Sequence, residues 1–169
     1  DNASTLNFSG NRGITITLEA GTTNVTTIDA SGFTGIGALT MTAGRGSLSV
    51  GQTITGGGYN DTLYGATYGD TIKGGAGNDT IYGGASADTI HGDAGNDTIY
   101  GQGGIDTIEA GAGNDTIMVT AAAQFEDLVS AEAVDGGDGT DSLTFGTAAG
   151  NVAWTIAATD VAKVKNVEK

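Results

Sequence analysis

The chain has 169 residues, of which 31 are Gly and none Cys or Pro, with 38% hydrophobic and 6% aromatic residues and a net charge of −14. So sparse an apolar complement does not fill an ordinary globular core, and the lack of Cys excludes a disulfide framework and zinc–thiolate sites. Between Gly46 and Ala162, 13 Asp and 3 Glu face one base, Lys73, which leaves that span at −15, repulsive to nucleic acid and to anionic lipid and suited to bound cations.

In chain order, Asp1 to Asn7 lacks the basic-then-apolar pattern of a signal peptide, so such a segment has either been removed or does not exist. No apolar run in the chain reaches the length of a transmembrane helix. Residues 1–55 carry short alternating runs at Ile14–Leu18, Val25–Ile28, Leu39–Thr42 and Leu48–Val50, with Gly21, Gly32, Gly44 and Gly51 read as turns between them. These predict strands with one apolar face. A sandwich would fit, but short, evenly spaced segments that enter the repeats without a linker favour an irregular parallel solenoid that caps the first coil.

Residues 56–118 are seven consecutive nonapeptides with Asp at position six: Asp61, Asp70, Asp79, Asp88, Asp97, Asp106 and Asp115. Position eight is always a large aliphatic residue, Leu63, Ile72, Ile81, Ile90, Ile99, Ile108 or Ile117, and position seven is always Thr. Period-two alternation turns position eight inward and positions seven and nine outward, so each unit predicts a three-residue strand after a six-residue Gly-rich turn. The physical repeat is two units. Position five is Asn60, Asn78, Asn96 and Asn114 in alternate units but Gly69, Ala87 and Ile105 in those between. Position nine agrees, with Tyr64, Tyr82, Tyr100 and Met118 on one set and Lys73, His91 and Glu109 on the other. Successive strands therefore belong to opposite sheets, and residues 18 apart stack at about 4.8 Å into an aromatic ladder on one flank and a mixed-charge ladder on the other.

Residues 119–135 break the rhythm, and Thr120 ahead of Ala121–Leu128 predicts a short capped helix. Gly136–Thr144 is an eighth copy with Asp141 at position six, 26 residues after Asp115 and so out of the nine-residue register, which leaves its stacking open. An apolar strand is predicted over Val152–Ile156. The organisation expected is a solenoid lead-in (1–55), a roll (56–118), a helical insertion (119–135), and an eighth repeat with a C-terminal β segment (136–169), all one continuous structural domain.

The unit G-G-x-G-x-D-T-[IL]-x resembles the calcium-binding nonapeptide of the repeats-in-toxin (RTX) family. The resemblance implies an all-β fold, a right-handed parallel β-roll or β-solenoid, here with one short helix. Calcium takes six to eight oxygens, and one turn offers a carboxylate and two or three carbonyls, about half a shell, so the turn 18 residues away must complete each site. The ligands expected are Asp61, Asp70, Asp79, Asp88, Asp97, Asp106, Asp115 and Asp141, with the turns of Gly75, Gly77, Gly84, Gly95, Gly111 and Gly113 supplying carbonyls. Interior sites are expected at the pairs 61/79, 79/97, 97/115, 70/88 and 88/106, and about five Ca2+ ions would offset two thirds of the local charge. Position four ranks the stacks: the Asn-bearing one has Tyr59, Gly77, Gly95 and Gly113 and the other Tyr68, Ser86 and Gly104, so the former should hold the tighter sites.

No catalytic role is expected. His91, the one histidine, lies at the outward position nine between Lys73 and Glu109, where a solvated residue is the simpler reading than a general base. There is no HExxH motif, P-loop or EF-hand spacing. The Thr rows suggest an ice-binding array, but Tyr64, Tyr82 and Tyr100 would roughen it. Within the family, the Thr, Ala and Gly bias and the solenoid lead-in are most similar to surface-layer proteins and adhesins, which implies a secreted protein at a bacterial cell surface. Its partners would be calcium and either like subunits of a lattice or a cell-surface glycan, with no nucleic acid and no membrane insertion. The alternative is a non-catalytic accessory module of a type I secreted enzyme or toxin. The charged end Val167–Lys169 lacks the apolar finish of a type I secretion signal, so an excised region is expected.

Overall fold

A computed structural model of the chain describes residues 5–12, 15–17, 25–36, 40–42, 51–119, 133–145 and 164–167. Among the described residues there is no helix, and the strands alternate between two parallel sheets. The predicted strand at Leu48–Val50, the helix over 121–128 and the strand over Val152–Ile156 lie outside the described residues.

One sheet takes β1 (Thr5–Arg12), β3 (Thr27–Ile36), β5 (Thr53–Thr55), β7 (Thr71–Ala76), β9 (Thr89–Ala94), β11 (Thr107–Ala112), β13 (Ala133–Asp138) and β15 (Val164–Lys165), in that order. The other takes β2 (Thr15–Thr17), β4 (Thr40–Thr42), β6 (Thr62–Tyr64), β8 (Thr80–Ala85), β10 (Thr98–Gly103), β12 (Thr116–Val119) and β14 (Ser142–Phe145). Every pairing is parallel, and through the repeats like residues face like, as when Ile81 faces Ile99 and Ile99 faces Ile117. The lead-in joins the repeats without a break, β3 pairing with β5 and β4 with β6. The solenoid therefore extends below the nonapeptides.

The alternation places one side chain per strand inside. Ile54, Ile72, Ile90, Ile108 and Val134 line one sheet and Leu63, Ile81, Ile99 and Ile117 the other, each at most 2% exposed. These columns are the core, and burying each aliphatic side chain contributes about 1.5–3 kcal/mol. Outside, Tyr64, Tyr82 and Tyr100 stack with ring centroids 4.6 and 4.7 Å apart and planes within 8°. On the opposite face Lys73, His91 and Glu109 are register partners. His91 Nδ1 lies 3.0 Å from Glu109 Oε2, which places the histidine in the surface ladder.

Position five also has a structural role. Asn60 Oδ1 accepts from the backbone N–H of Asn78, Asn78 from Asn96, Asn96 from Asn114, and Asn114 from Thr140, at 2.7–2.9 Å. Each amide reaches up to clip the next coil, on one edge of the roll only. Gly69, Ala87 and Ile105 cannot do so.

The structure departs from the sequence-based expectations at three points and closes a fourth that the sequence leaves open. The strands β7 to β11 are six residues long and run through positions one to three of the next unit, because pairing continues past the inward residue, as in Gly75 with Asp93 and Ala76 with Ala94. Gly32 sits within β3, at a register shift of the β1–β3 ladder, rather than in a turn. β1 is a further strand that the alternation does not predict, although Leu6 and Phe8 pack on the core. The eighth unit does continue the stack: β12 ends at Val119, β13 begins at Ala133, and Thr116 pairs with Ser142 across the 26-residue offset.

Because Ile99 is fully buried between Ile81 and Ile117, Ile99→Ala in calcium-saturated protein should cost about 2–5 kcal/mol of unfolding free energy in a denaturant titration. Thr98→Ala, on the outer face, should cost well under half as much.

Candidate metal centre

Position six closes the turn and precedes the outward Thr, so its side chain points between the sheets. All eight carboxylates, Asp61, Asp70, Asp79, Asp88, Asp97, Asp106, Asp115 and Asp141, are at most 3% exposed. They form two columns. In one, Asp79 Oδ1 accepts from the N–H of Asp61, Asp97 from Asp79, Asp115 from Asp97 and Asp141 from Asp115, at 2.7–2.8 Å. In the other, Asp88 Oδ1 accepts from Asp70 and Asp106 from Asp88, at 2.7 and 2.9 Å. Gln52, which carries no charge to mark it in the sequence, takes the place of an Asp at the base: its N–H donates to Asp70 Oδ1 at 2.6 Å and its Nε2 to the Val25 carbonyl at 2.9 Å.

From Asp70 upward, one oxygen of each carboxylate is thus held by the coil below. The second oxygens of Asp79, Asp88, Asp97 and Asp115 are buried with no hydrogen-bond partner. An unpartnered buried anion is among the costliest groups a fold can hold. Lys73, the one base between Gly46 and Ala162, is exposed on the outer face and does not relieve it. Burial pushes the Asp79 and Asp88 carboxyls up to about 8 and Asp97 up to about 7, from an ordinary 3.8. The backbone N–H from the coil below offsets part of this, and the stacked carboxylates raise it again. Asp70 and Asp115 are raised by burial as well.

The surroundings suit a hard cation with oxygen ligands. A side chain on Gly74 would place its first carbon 2.4 Å from Asp79 Oδ2 and 2.6 Å from the Gly92 carbonyl, and one on Gly92 would lie 2.4 Å from Asp97 Oδ2 and 2.3 Å from the Ala110 carbonyl. Carboxylate and carbonyl oxygens of adjacent coils therefore converge where glycine leaves space. Among the described residues no three His, Cys, Asp or Glu side chains gather, so a site here combines Asp with backbone carbonyls, which is calcium chemistry rather than zinc chemistry.

The glycines singled out from the sequence, Gly75, Gly77, Gly84, Gly95, Gly111 and Gly113, all have the left-handed backbone. At Gly95 (φ 135°) a side chain would also meet the Gly77 carbonyl at 2.0 Å, so coil spacing requires glycine there. Ser86 adopts the same region (φ 77°), as do Asp93 and Gln102 at position two (both 71°). The cost of a non-glycine residue therefore falls on position two as well as on position four, the one position by which the sequence pattern ranks the stacks.

Fold and ladder together define a parallel β-roll that presents stacked, cation-demanding carboxylates. Residues 51–67, 64–99 and 100–119 match the family model described as the RTX calcium-binding nonapeptide repeat, so this stretch is built of that repeat. The match begins at the coil of Gln52, below the first unit that carries Asp. No curated protein and no solved structure matches the chain.

Asp97→Ala and Asp88→Ala should each raise the calcium midpoint for folding about threefold or more and by similar factors, because each turn carries one non-glycine residue at positive φ, Asp93 in the first and Ser86 in the second; calorimetric titration compares them. For pH, the folded carboxyls of metal-free protein bind protons more tightly than the unfolded chain does, so they stabilise fully below the ordinary 3.8 and lose that contribution as pH rises through about 7 to 8. Calcium-free protein should therefore show more strand signal by circular dichroism at about pH 4 than at about pH 8, and the calcium midpoint should rise as pH falls between them.

Proposed function

We propose that this chain is a calcium-dependent structural rod of a secreted bacterial cell-surface protein, of surface-layer or adhesin type, which folds when it meets calcium outside the cell. The buried, unpartnered Oδ2 atoms of Asp79, Asp88, Asp97 and Asp115 carry this reading. Bound calcium would supply the positive charge that the column lacks and draw adjacent coils together through shared oxygens. The ligands proposed are the ladder carboxylates with the carbonyls of the glycine turns. Without the ion, at neutral pH, like charges stack at about one strand spacing, 4.8 Å, on a Gly-rich backbone that loses much entropy on ordering.

The lead-in favours a structural host over an accessory module, since the solenoid runs on below the calcium repeats and pairs with them directly. Such a rod presents flat outer faces, the tyrosine ladder on one side and the Lys73, His91, Glu109 row on the other. Its proposed partners are like subunits in a lattice or a cell-surface glycan. The one histidine belongs to the outer row and contacts Glu109, so the reading assigns it no catalytic part.

A site held at about 100 times its dissociation constant adds about 2.7 kcal/mol, so several together convert a disordered chain into a roll. Removing calcium with a chelator at neutral pH should abolish most of the strand spectrum, and millimolar calcium should restore it. A spectrum indifferent to the chelator would sink the proposal.

A further inference from the structure

Two of the ladder carboxylates are closed in a way that four others are not. Gly57 N–H donates to Asp61 Oδ2 at 2.7 Å and Ala66 N–H to Asp70 Oδ2 at 2.6 Å. The equivalent oxygens of Asp79, Asp88, Asp97 and Asp115 have no hydrogen-bond partner. The difference lies in the backbone of position two. From the third unit onward it is left-handed, at Gly75, Gly84, Asp93, Gln102 and Gly111, whereas Gly57 and Ala66 are not. A peptide plane is rigid, so rotating it reverses its N–H and its carbonyl together. In the two lowest turns the N–H faces the carboxylate; in the turns of Asp79, Asp88, Asp97 and Asp115 it does not.

The strands register the same boundary. β5 and β6 stop after three residues, whereas β7 to β11 run on for six. Residue types change with them: Tyr59 and Tyr68 occupy position four, and Gln52 stands where a further Asp would. Asp70 shows the outcome most fully, with one oxygen held by Gln52 N–H and the other by Ala66 N–H. A carboxylate whose two oxygens both accept from backbone N–H groups has its buried acceptors partnered within the protein, without a cation.

We infer that the turns 56–61 and 65–70 hold no calcium, so that the coils up to Asp70 form a metal-free base and cation binding begins at the turn 74–79. This rests on the calcium reading proposed for the whole ladder and narrows it. The pairs 61/79 and 70/88 cease to be sites, and the pair 115/141, joined by the Asp115 N–H to Asp141 Oδ1 bond, enters. The calcium-dependent part of the roll thus grows on a lower section whose carboxylates are already satisfied.

Isothermal titration of the full chain with calcium chloride tests it. Asp61→Asn and Asp70→Asn should bind as many ions as the wild type, with midpoints within about twofold, whereas Asp79→Asn and Asp88→Asn should each bind fewer. A loss of ions from Asp70→Asn equal to that from Asp88→Asn would overturn the inference. Wild-type protein that took up no calcium would instead overturn the calcium reading on which it rests. Should Asp61→Asn or Asp70→Asn not fold, amide exchange of the wild type, followed peptide by peptide as calcium is added, decides. Slowing concentrated at 74–115 supports a metal-free base; equal slowing at 56–70 refutes it.

Discussion

The structure depends on burying a carboxylate at every turn. The Asp side chain is short enough to turn inward behind the outward Thr and to reach the N–H of the coil below, which fixes the vertical register at 18 residues. That hydrogen bond uses one oxygen. The other is left in a glycine-lined space beside a carbonyl of the next coil, and it sets the electrostatic problem that a bound cation would resolve. Hydrophobic burial alone gives this fold little margin, since each strand of the repeats contributes one large aliphatic side chain to a narrow core.

Much of this was legible because it recurs. The inward Ile column, the outward Thr, the two-unit period and the tyrosine ladder are set by alternation and by the spacing of Asn and Tyr, and a repeat states each of them several times over. What escaped lies where the pattern changes or where a backbone angle decides. β1 has no repeat to announce it, and its ladder with β3 carries register shifts that no fixed spacing reveals. Gln52 holds a ladder position without the charge by which that position is recognised. Whether a strand ends after position nine or continues through position three depends on one peptide plane at position two, a property on which Gly57 and Gly75 differ despite being the same residue.

Asp141 shows how local contacts outrank sequence spacing. Its offset of 26 residues takes it out of the nonapeptide count, yet its carboxylate meets the Asp115 N–H at 2.8 Å, as its counterparts do. Thr140 takes the Asn114 amide and Ser142 takes the backbone carbonyl of Asp115 in the same manner. A coil is admitted to the column if its last turn and strand present these groups, whatever length of chain precedes them.

The asparagine clips point upward and the aspartate bonds point downward, so every coil offers its neighbours the same two faces. Coils are therefore interchangeable parts. Excising 18 residues would shorten the rod by one strand spacing, about 4.8 Å, and return each Asn, Asp and Ile to a partner of its own kind. Excising nine would instead carry the asparagine column to the opposite edge above the cut and set Tyr against Lys or Glu along the outer faces. Length in such a molecule is counted in pairs of nonapeptides, and a gene that gains or loses them by whole pairs changes the reach of the rod while the Asn, Asp and Ile columns keep their register.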